Sequence, residues 1–314
     1  MQCLNTFFIS ASISLTNPPN SQAKNPAFHA TCKIRHCDEG VRENASKKAF
    51  SLPPNVNSII STSNPFVKHC VKLRQSSSHR HLHGMVLVVG TTPLREIYSS
   101  HMSETAVHVV EVSPEVIRKI SGIQSVDSVE VIALMRIPSS FRIVNKHDED
   151  CRTLFPFPHR ILVLDGIQDP GNLGTLVRSA TAFRWDGVFL LPGCCDPFND
   201  KALRACRGAS FQIPIVSGSW ENVGDLRDEF QMRMLAGHPA KGDDLKPVMK
   251  LSKDLAESME DLPLCLVLGS EGAGLSQFSR RACELVSIPM SGEFESLNVS
   301  VAGGIFMYML QRHK

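Results

Sequence analysis

Three short stretches constrain this chain more than any other feature. Each is an apolar run that ends in a glycine-bearing loop, and all three lie in the C-terminal half. The first, Leu164 to Phe183, reads LDGIQDPGNLGTLVRSATAF; the second, Leu266 to Ser276, reads LVLGSEGAGLS; the third, Val286 to Leu310, reads VSIPMSGEFESLNVSVAGGIFMYML. A buried strand that runs into such a loop places it at the strand's carboxyl end, where open α/β sheets bind ligands. Three such loops in one domain predict a single shared pocket.

In the first stretch, Gly171 and Gly174 permit tight turning and close approach. Leu173, Leu176, Val177 and Ala180 give the following helix a buried face, and Arg178 shares a stripe with Thr175 and Thr181 away from it. Two readings of Arg178 stand at this point: a residue that meets a ligand, or a surface arginine in an ion pair. In the second stretch Gly269, Gly272 and Gly274 would let a ligand lie against bare backbone. A plain turn is the alternative, although it has no use for Glu271. No lysine follows these glycines, so the loop is not a P-loop, and its spacing is not that of a dinucleotide fingerprint. A dinucleotide oxidoreductase is therefore excluded. In the third stretch a strand over Leu285–Ile288 stops at Pro289, and a loop with Gly292 leads to Ser296, Leu297 and Asn298. Either Ser296 or Asn298 caps the long apolar helix that follows.

Further apolar runs in the same half, ILVLDGI, GVFLL, IPIV, RMLAG, LCLVLG and LVSIP, alternate with helical stretches. That alternation predicts a parallel sheet covered by helices on both faces. Upstream, SNPFVKHCVKLR has Asn64 as a helix cap and Pro65 in the first turn. MVLVVG, VHVVEV and VEVIALM read as strands. PLREIYSS reads as a helix, as does SPEVIRKISG, with Ser113 as its cap and Gly122 as its stop. These elements predict a smaller α/β domain over 56–142, joined by a charged and then proline-rich linker, 143–159, to the larger domain, 160–314.

The net charge is only +2, so any nucleic-acid binding must come from a local basic patch. One exists. No acidic residue occurs between Asn44 and Arg95, a stretch that carries Lys47, Lys48, Lys68, Lys72, Arg74, Arg80 and four histidines from His69 to His83. Lys68, Lys72, Arg74 and Arg80 are the candidates for binding a polyanion. A solvated surface without a partner is the plainer alternative.

No apolar run reaches the roughly 18 residues of a spanning helix, so no membrane partner is expected. The 10 cysteines are scattered through a chain too large to need disulfide staples, and they read as reduced thiols. His29, Cys32, His36 and Cys37 are ligand types, but their spacing fits no common zinc pattern, and no metal is expected. Met1 to Cys37 contains no Asp or Glu and is rich in hydroxyl residues, with Lys24, Lys33 and Arg35 as its charges. Residues 1–55 are thus expected to be disordered, with an organelle transit peptide favoured over a plain tail. Chloroplast and mitochondrion are not separated, and a cytoplasmic or nuclear location is the alternative.

The segments PGNLGTLVRSA, GSEGAGL and IPMSGEFESLNVSVA together resemble, in order and spacing, the three signature motifs of the SpoU-type RNA ribose methyltransferases of the SPOUT superfamily. The resemblance covers about Arg160 to Lys314. The stretch from Ile59 to Arg142 is similar, more weakly, to that family's N-terminal RNA-binding domain. The resemblance implies an α/β fold with a deep trefoil knot in the C-terminal domain, a homodimer with the active site near its interface, and S-adenosylmethionine as methyl donor. It implies Asn172, Arg178, Glu271, Ser296 and Asn298 as catalytic residues. It implies Leu268, Gly269, Gly274, Ile288, Met290 and Leu297 as the cofactor's contacts. RNA is the implied partner, ribosomal RNA ahead of transfer RNA, and its ribose 2′-hydroxyl the methyl acceptor. The competing expectation is a knotted RNA-binding protein that has lost methyl transfer. Loss of Arg178, Glu271 or Asn298 would favour it, and all three are present.

Overall fold

The computed structural model describes residues 6–10, 57–101, 107–124, 131–144, 151–239 and 246–312. The His29, Cys32, His36, Cys37 cluster and Lys47 and Lys48 lie outside them. The chain divides into two compact units. One comprises residues up to Leu94 with Met102–Arg136; the other comprises Arg95–His101 with Ile137–Lys314.

The smaller unit contains β1 (Thr6–Ser10), β2 (Asn57–Ile59), α1 (Pro65–Gln75), α2 (Ser77–His83), β3 (Met85–Val89), the start of α3 (Thr91–His101), β4 (Val107–Val112), α4 (Pro114–Ser121) and β5 (Val131–Arg136). Its sheet runs β2-β4-β1-β5-β3. β1 is parallel to β4, and β5 is antiparallel to both β1 and β3. Local signals start and stop the helices. Asn64 accepts from the Phe66 amide and caps α1, Ser113 accepts from the Val116 amide and caps α4, and Gly122 ends α4 in a left-handed conformation. Val116, Ile117 and Ile120 of α4 pack against Val67, Cys70 and Leu73 of α1, all without exposure. Each such side chain contributes about 1.5–3 kcal/mol by burial.

One expectation fails here. Residues 1–55 read as disordered, yet Thr6–Ser10 forms the middle strand of this sheet. The segment Thr-Phe-Phe-Ile-Ser is made of the aromatic, β-branched and hydroxyl residues that suit a pleated strand. Its partners lie about a hundred positions away, at Val107 and Val131, where no local pattern points to them.

The larger unit contains β6 (Phe141–Ile143), α5 (Cys151–Leu154), β7 (Arg160–Asp165), α6 (Pro170–Ala182), β8 (Gly187–Leu190), α7 (Asp200–Cys206), β9 (Ile215–Ser217), α8 (Trp220–Phe230), β10 (Arg233–Gly237), β11 (Val248–Lys250), α9 (Lys253–Ser258), β12 (Leu264–Gly269), α10 (Gln277–Ala282), β13 (Glu284–Ser287) and α11 (Val299–Met309). Its eight strands, in the order β11-β13-β10-β12-β7-β8-β9-β6, are parallel at every pairing. β7 is buried along its length and β12 in all but its last residue, as in parallel sheets covered on both faces, and Ile161–Leu164 and Leu264–Leu268 are accordingly apolar.

The boundary between the units differs from the sequence reading. Phe141–Ile143 pairs with β9 in the larger sheet, and Leu154 and Phe155, placed by the sequence in a linker, are buried in that unit's core. The Phe155 ring occupies the space a side chain at Gly187 would fill. A three-residue strand and a single helical turn carry too little periodicity to be seen from sequence.

The C-terminal segment folds back onto the sheet and onto α6. β13 pairs with β10 and β11 instead of its sequence neighbour β12, and α11 returns to pack on α6. Arg160, at the start of β7, fastens this arrangement. It is buried, and its guanidinium donates to the carbonyls of His159, Met259, Glu260, Leu262 and Leu310. Burial pushes its pKa down to about 10, so it remains charged at neutral pH.

Candidate active site

The three glycine-bearing loops meet at the carboxyl ends of the parallel strands. β7 leads to α6, β12 leads to the loop from Ser270 to Leu275, and β13 leads to the loop before α11. A cavity of about 570 Å³ opens there. Its walls include Leu268 to Leu275, Ile288, Met290, Ser296, Leu297, Asn298 and, as an apolar floor, Phe306. All six residues implied as cofactor contacts, Leu268, Gly269, Gly274, Ile288, Met290 and Leu297, line this cavity. The volume is within the roughly 300–1,000 Å³ of small-molecule sites.

Asn298 joins the loops. Its side-chain oxygen accepts from the amides of Ser300 and Val301 and from the Ser300 hydroxyl, which makes it the cap of α11 and settles the choice between Asn298 and Ser296. Its amide nitrogen donates to Asn172 Oδ1 at 3.1 Å and to Glu271 Oε1. Glu271 Oε1 also receives the Val299 amide at 3.4 Å. A carboxylate at the N-terminus of α11 is favoured by the helix dipole. One residue from each stretch thus meets in a single hydrogen-bonded group, across 126 positions between Asn172 and Asn298.

Arg178 is not in this group. It stands exposed on α6 and does not line the cavity. Among the described residues it has no hydrogen bond or ion pair, so the ion-pair reading of this arginine finds no support.

Two glycines serve the packing of the chain itself. A Cβ at Gly174 would fall 2.4 Å from the Ala202 carbonyl oxygen. The close approach at Gly174 is therefore that of α7 against α6, and no ligand is involved. A Cβ at Gly269 would fall 2.4–2.5 Å from the backbone of Gly274 and Leu275. Gly269 is needed because the loop closes on itself, through hydrogen bonds between Ser270 and Gly274 in both directions.

The basic candidates separate as well. Lys68 and Lys72 are exposed on α1. Arg80 is a correction: it is 2% exposed and donates to the carbonyls of Leu73 and Arg74 near the end of α1, which removes it from the RNA-facing set. Arg74 is half-buried and reaches the Ser121 carbonyl at 3.3 Å, beside Gly122. Its neighbours hold it as a brace between α1 and α4.

Sequence reasoning missed Asp165. From the end of β7 its carboxylate receives the Ser276 amide at 2.9 Å and the Ser279 hydroxyl, and so fixes the start of α10 just beyond the second loop. It also missed Gly237, the last residue of β10, and His238 just after it, which line the cavity. Their position at the end of a parallel strand was the available signal.

A parallel α/β sheet with this three-loop site has the fold of solved SpoU methyltransferases. The comparisons agree with it. Residues 159–308 match the SpoU rRNA Methylase family. An uncharacterized tRNA/rRNA methyltransferase of Synechocystis sp. is 28% identical over 288 residues, which cover 84% of this chain and 97% of that protein. The 23S rRNA (guanosine(2553)-2′-O)-methyltransferase of Bacillus subtilis is 35% identical over 153 residues, 48% of this chain and 58% of that protein. The AdoMet-bound rRNA methyltransferase from Sinorhizobium meliloti shares the fold with a TM-score of 0.65 at 23% identity, covering 81% of this chain and 97% of that one. The family match thus lies within the C-terminal unit and covers most of it.

Proposed function

We propose that this protein is an enzyme that transfers a methyl group from S-adenosylmethionine to a ribose 2′-hydroxyl of RNA. The observation that carries this reading is the meeting of Asn172, Glu271 and Asn298 beside the cavity. The cavity fits the cofactor's chemistry. Exposed backbone at Gly269 to Gly274 can bond the edge of a purine, and Leu268, Ile288, Leu297 and Phe306 supply apolar contact. When bound, S-adenosylmethionine supplies an electrophilic methyl group on its sulfonium. The residues of the chain position the acceptor. Glu271 holds the Asn298 amide in one orientation, and Ser296 lines the same space. Guanidinium groups stay protonated at neutral pH. We therefore assign Arg178 to clamping an RNA phosphate and polarising the hydroxyl, with the proton leaving to phosphate or water. The test is to incubate the full chain with tritiated S-adenosylmethionine and total RNA, and then to map ribose methylation. Absence of transfer to any RNA overturns the proposal.

Ribosomal RNA is the proposed substrate class; in support, the Bacillus subtilis relative is named for 23S rRNA. A homodimer is also proposed. In support, α11 leaves Val301 52% and Tyr308 58% exposed on an otherwise packed helix, an apolar face suited to a second copy. Light scattering on the purified chain decides this. An organelle is the proposed location, supported by the acid-free sequence from Met1 to Cys37, of which Thr6–Ser10 belongs to the folded smaller unit as β1. Imaging of the full chain fused at its C-terminus to a fluorescent protein tests it.

A further inference from the structure

Three histidines of the smaller unit meet away from the cavity. His69 is on α1, and His79 and His83 are one turn apart on α2. Ser76 ends α1 and caps α2, so the chain folds back there and brings the two helices together. The three rings stand 4.3–5.1 Å apart between centroids. His79 Nε2 is 3.1 Å from His69 Nδ1, and one ring nitrogen from each histidine lies within 4.8 Å of the other two.

We propose that His69, His79 and His83 form a zinc site, with three imidazole ligands and a fourth position open to water or an anion. The spacing is His-x9-His-x3-His. Its last part is the i, i+4 pair that presents two imidazoles from one helix face. Tetrahedral zinc with bonds of about 2.0–2.1 Å needs ligand nitrogens about 3.3 Å apart. The His69–His79 pair already has close to that separation. His83 is exposed, so its ring can turn inward without disturbing the core. Among the described residues, only ring contacts with the other two hold it. The ligand form is the neutral imidazole. Three imidazoles with no carboxylate select a late transition ion over magnesium or calcium. They also leave both charges of the ion uncompensated beside Lys72, so the open position favours an anionic oxygen, such as a phosphate. Bound zinc would pin α1 to α2 and add a Lewis-acidic point to the face that carries Lys68 and Lys72.

The experiment uses the full chain stripped of metal, titrated with Zn²⁺ against a chromogenic chelator. Wild type is expected to bind one ion per chain. His79→Asn and His83→Asn are each expected to weaken binding at least about tenfold. His81→Asn, on the same helix but outside the triad, is expected to bind as wild type. Co²⁺ should give the intense visible absorption of a four-coordinate ion in wild type and in His81→Asn, and lose it in His79→Asn. Circular dichroism shows that each variant is folded; the exposed His83 serves if His79→Asn is not. Absence of a stoichiometric ion in wild type overturns the proposal. So does tight binding that survives in a His69→Asn, His79→Asn, His83→Asn triple variant, which would place the ion elsewhere, for example on His29, Cys32, His36 and Cys37.

Discussion

At the scale of single residues, Arg178 and Gly269 separate chemistry from architecture. Arg178 is exposed and touches neither the core nor the cavity, so Arg178→Ala is expected to leave the melting temperature and S-adenosylmethionine affinity unchanged. Methyl transfer should fall by about 10²-fold or more, the scale of losing a charge-stabilising donor. Turnover at the wild-type rate would remove Arg178 from the reaction. Gly269→Val acts on the loop instead. Its side chain would meet the Gly274 backbone, which cannot move aside as a flexible side chain can. Overpacking of this kind costs about 1–3 kcal/mol, and it should open the wall of the cavity. Calorimetry should find S-adenosylmethionine binding lost, and chemical denaturation a lower midpoint. Unchanged affinity would show that the loop tolerates opening.

At the scale of elements, the C-terminal helix is held by groups far from it in sequence. Arg160 Nε donates to the Leu310 carbonyl, 150 positions away, and the rest of the guanidinium holds the segment from Met259 to Leu262. Arg160→Met keeps much of the side chain's length but leaves those carbonyls without donors. Each buried polar group left unsatisfied costs about 1–3 kcal/mol, and water reaching the vacated space offsets part of the sum. The expected loss is several kcal/mol in denaturant, with earlier hydrogen exchange at the end of α11. If stability is unchanged, the arginine does not fasten the C-terminal segment. These bonds were illegible in the sequence. An arginine at the start of an apolar strand gives no hint of which carbonyls it will reach.

At the scale of the whole molecule, the two units are expected to divide the work. Removing residues 1–136, which also takes Arg95–His101 from the larger unit, should leave a sheet that still binds S-adenosylmethionine, because every cavity residue lies beyond the cut. RNA affinity should fall with the loss of Lys68 and Lys72, and the log–log salt slope should flatten by roughly 0.7–0.9 for each phosphate that is no longer neutralised. RNA titrations at several salt concentrations check this; an unchanged slope would place the whole RNA footprint on the larger unit. The cut falls at 136 because Phe141–Ile143 is a strand of the larger sheet. Deleting only residues 1–12 should destabilise the smaller unit, since β1 pairs on both sides. Hydrogen exchange along β4 and β5 reads this out, and undiminished protection would mean that the sheet closes without β1.

The division between what was legible and what was not follows the range of the interactions. Asn64, Ser113 and Gly122 mark helix ends through bonds within a few residues, and the apolar runs of β7 and β12 mark buried strands; the sequence by itself determined these. The three motifs likewise determined the family resemblance and most of the cavity wall, because the loops that line it are contiguous in the chain. Only the tertiary structure decided that Arg80 is a buried brace while Lys72 faces solvent. Both are cationic residues in one acid-free stretch, and the difference lies in which carbonyls the fold brings within reach. Only it showed that Gly174 serves helix packing, that Asn298 bonds both Asn172 and Glu271, and that three histidines spread over fifteen positions share one point on the surface. In each case the deciding partner is distant in sequence, or on another helix, and a one-dimensional pattern carries no record of that pairing.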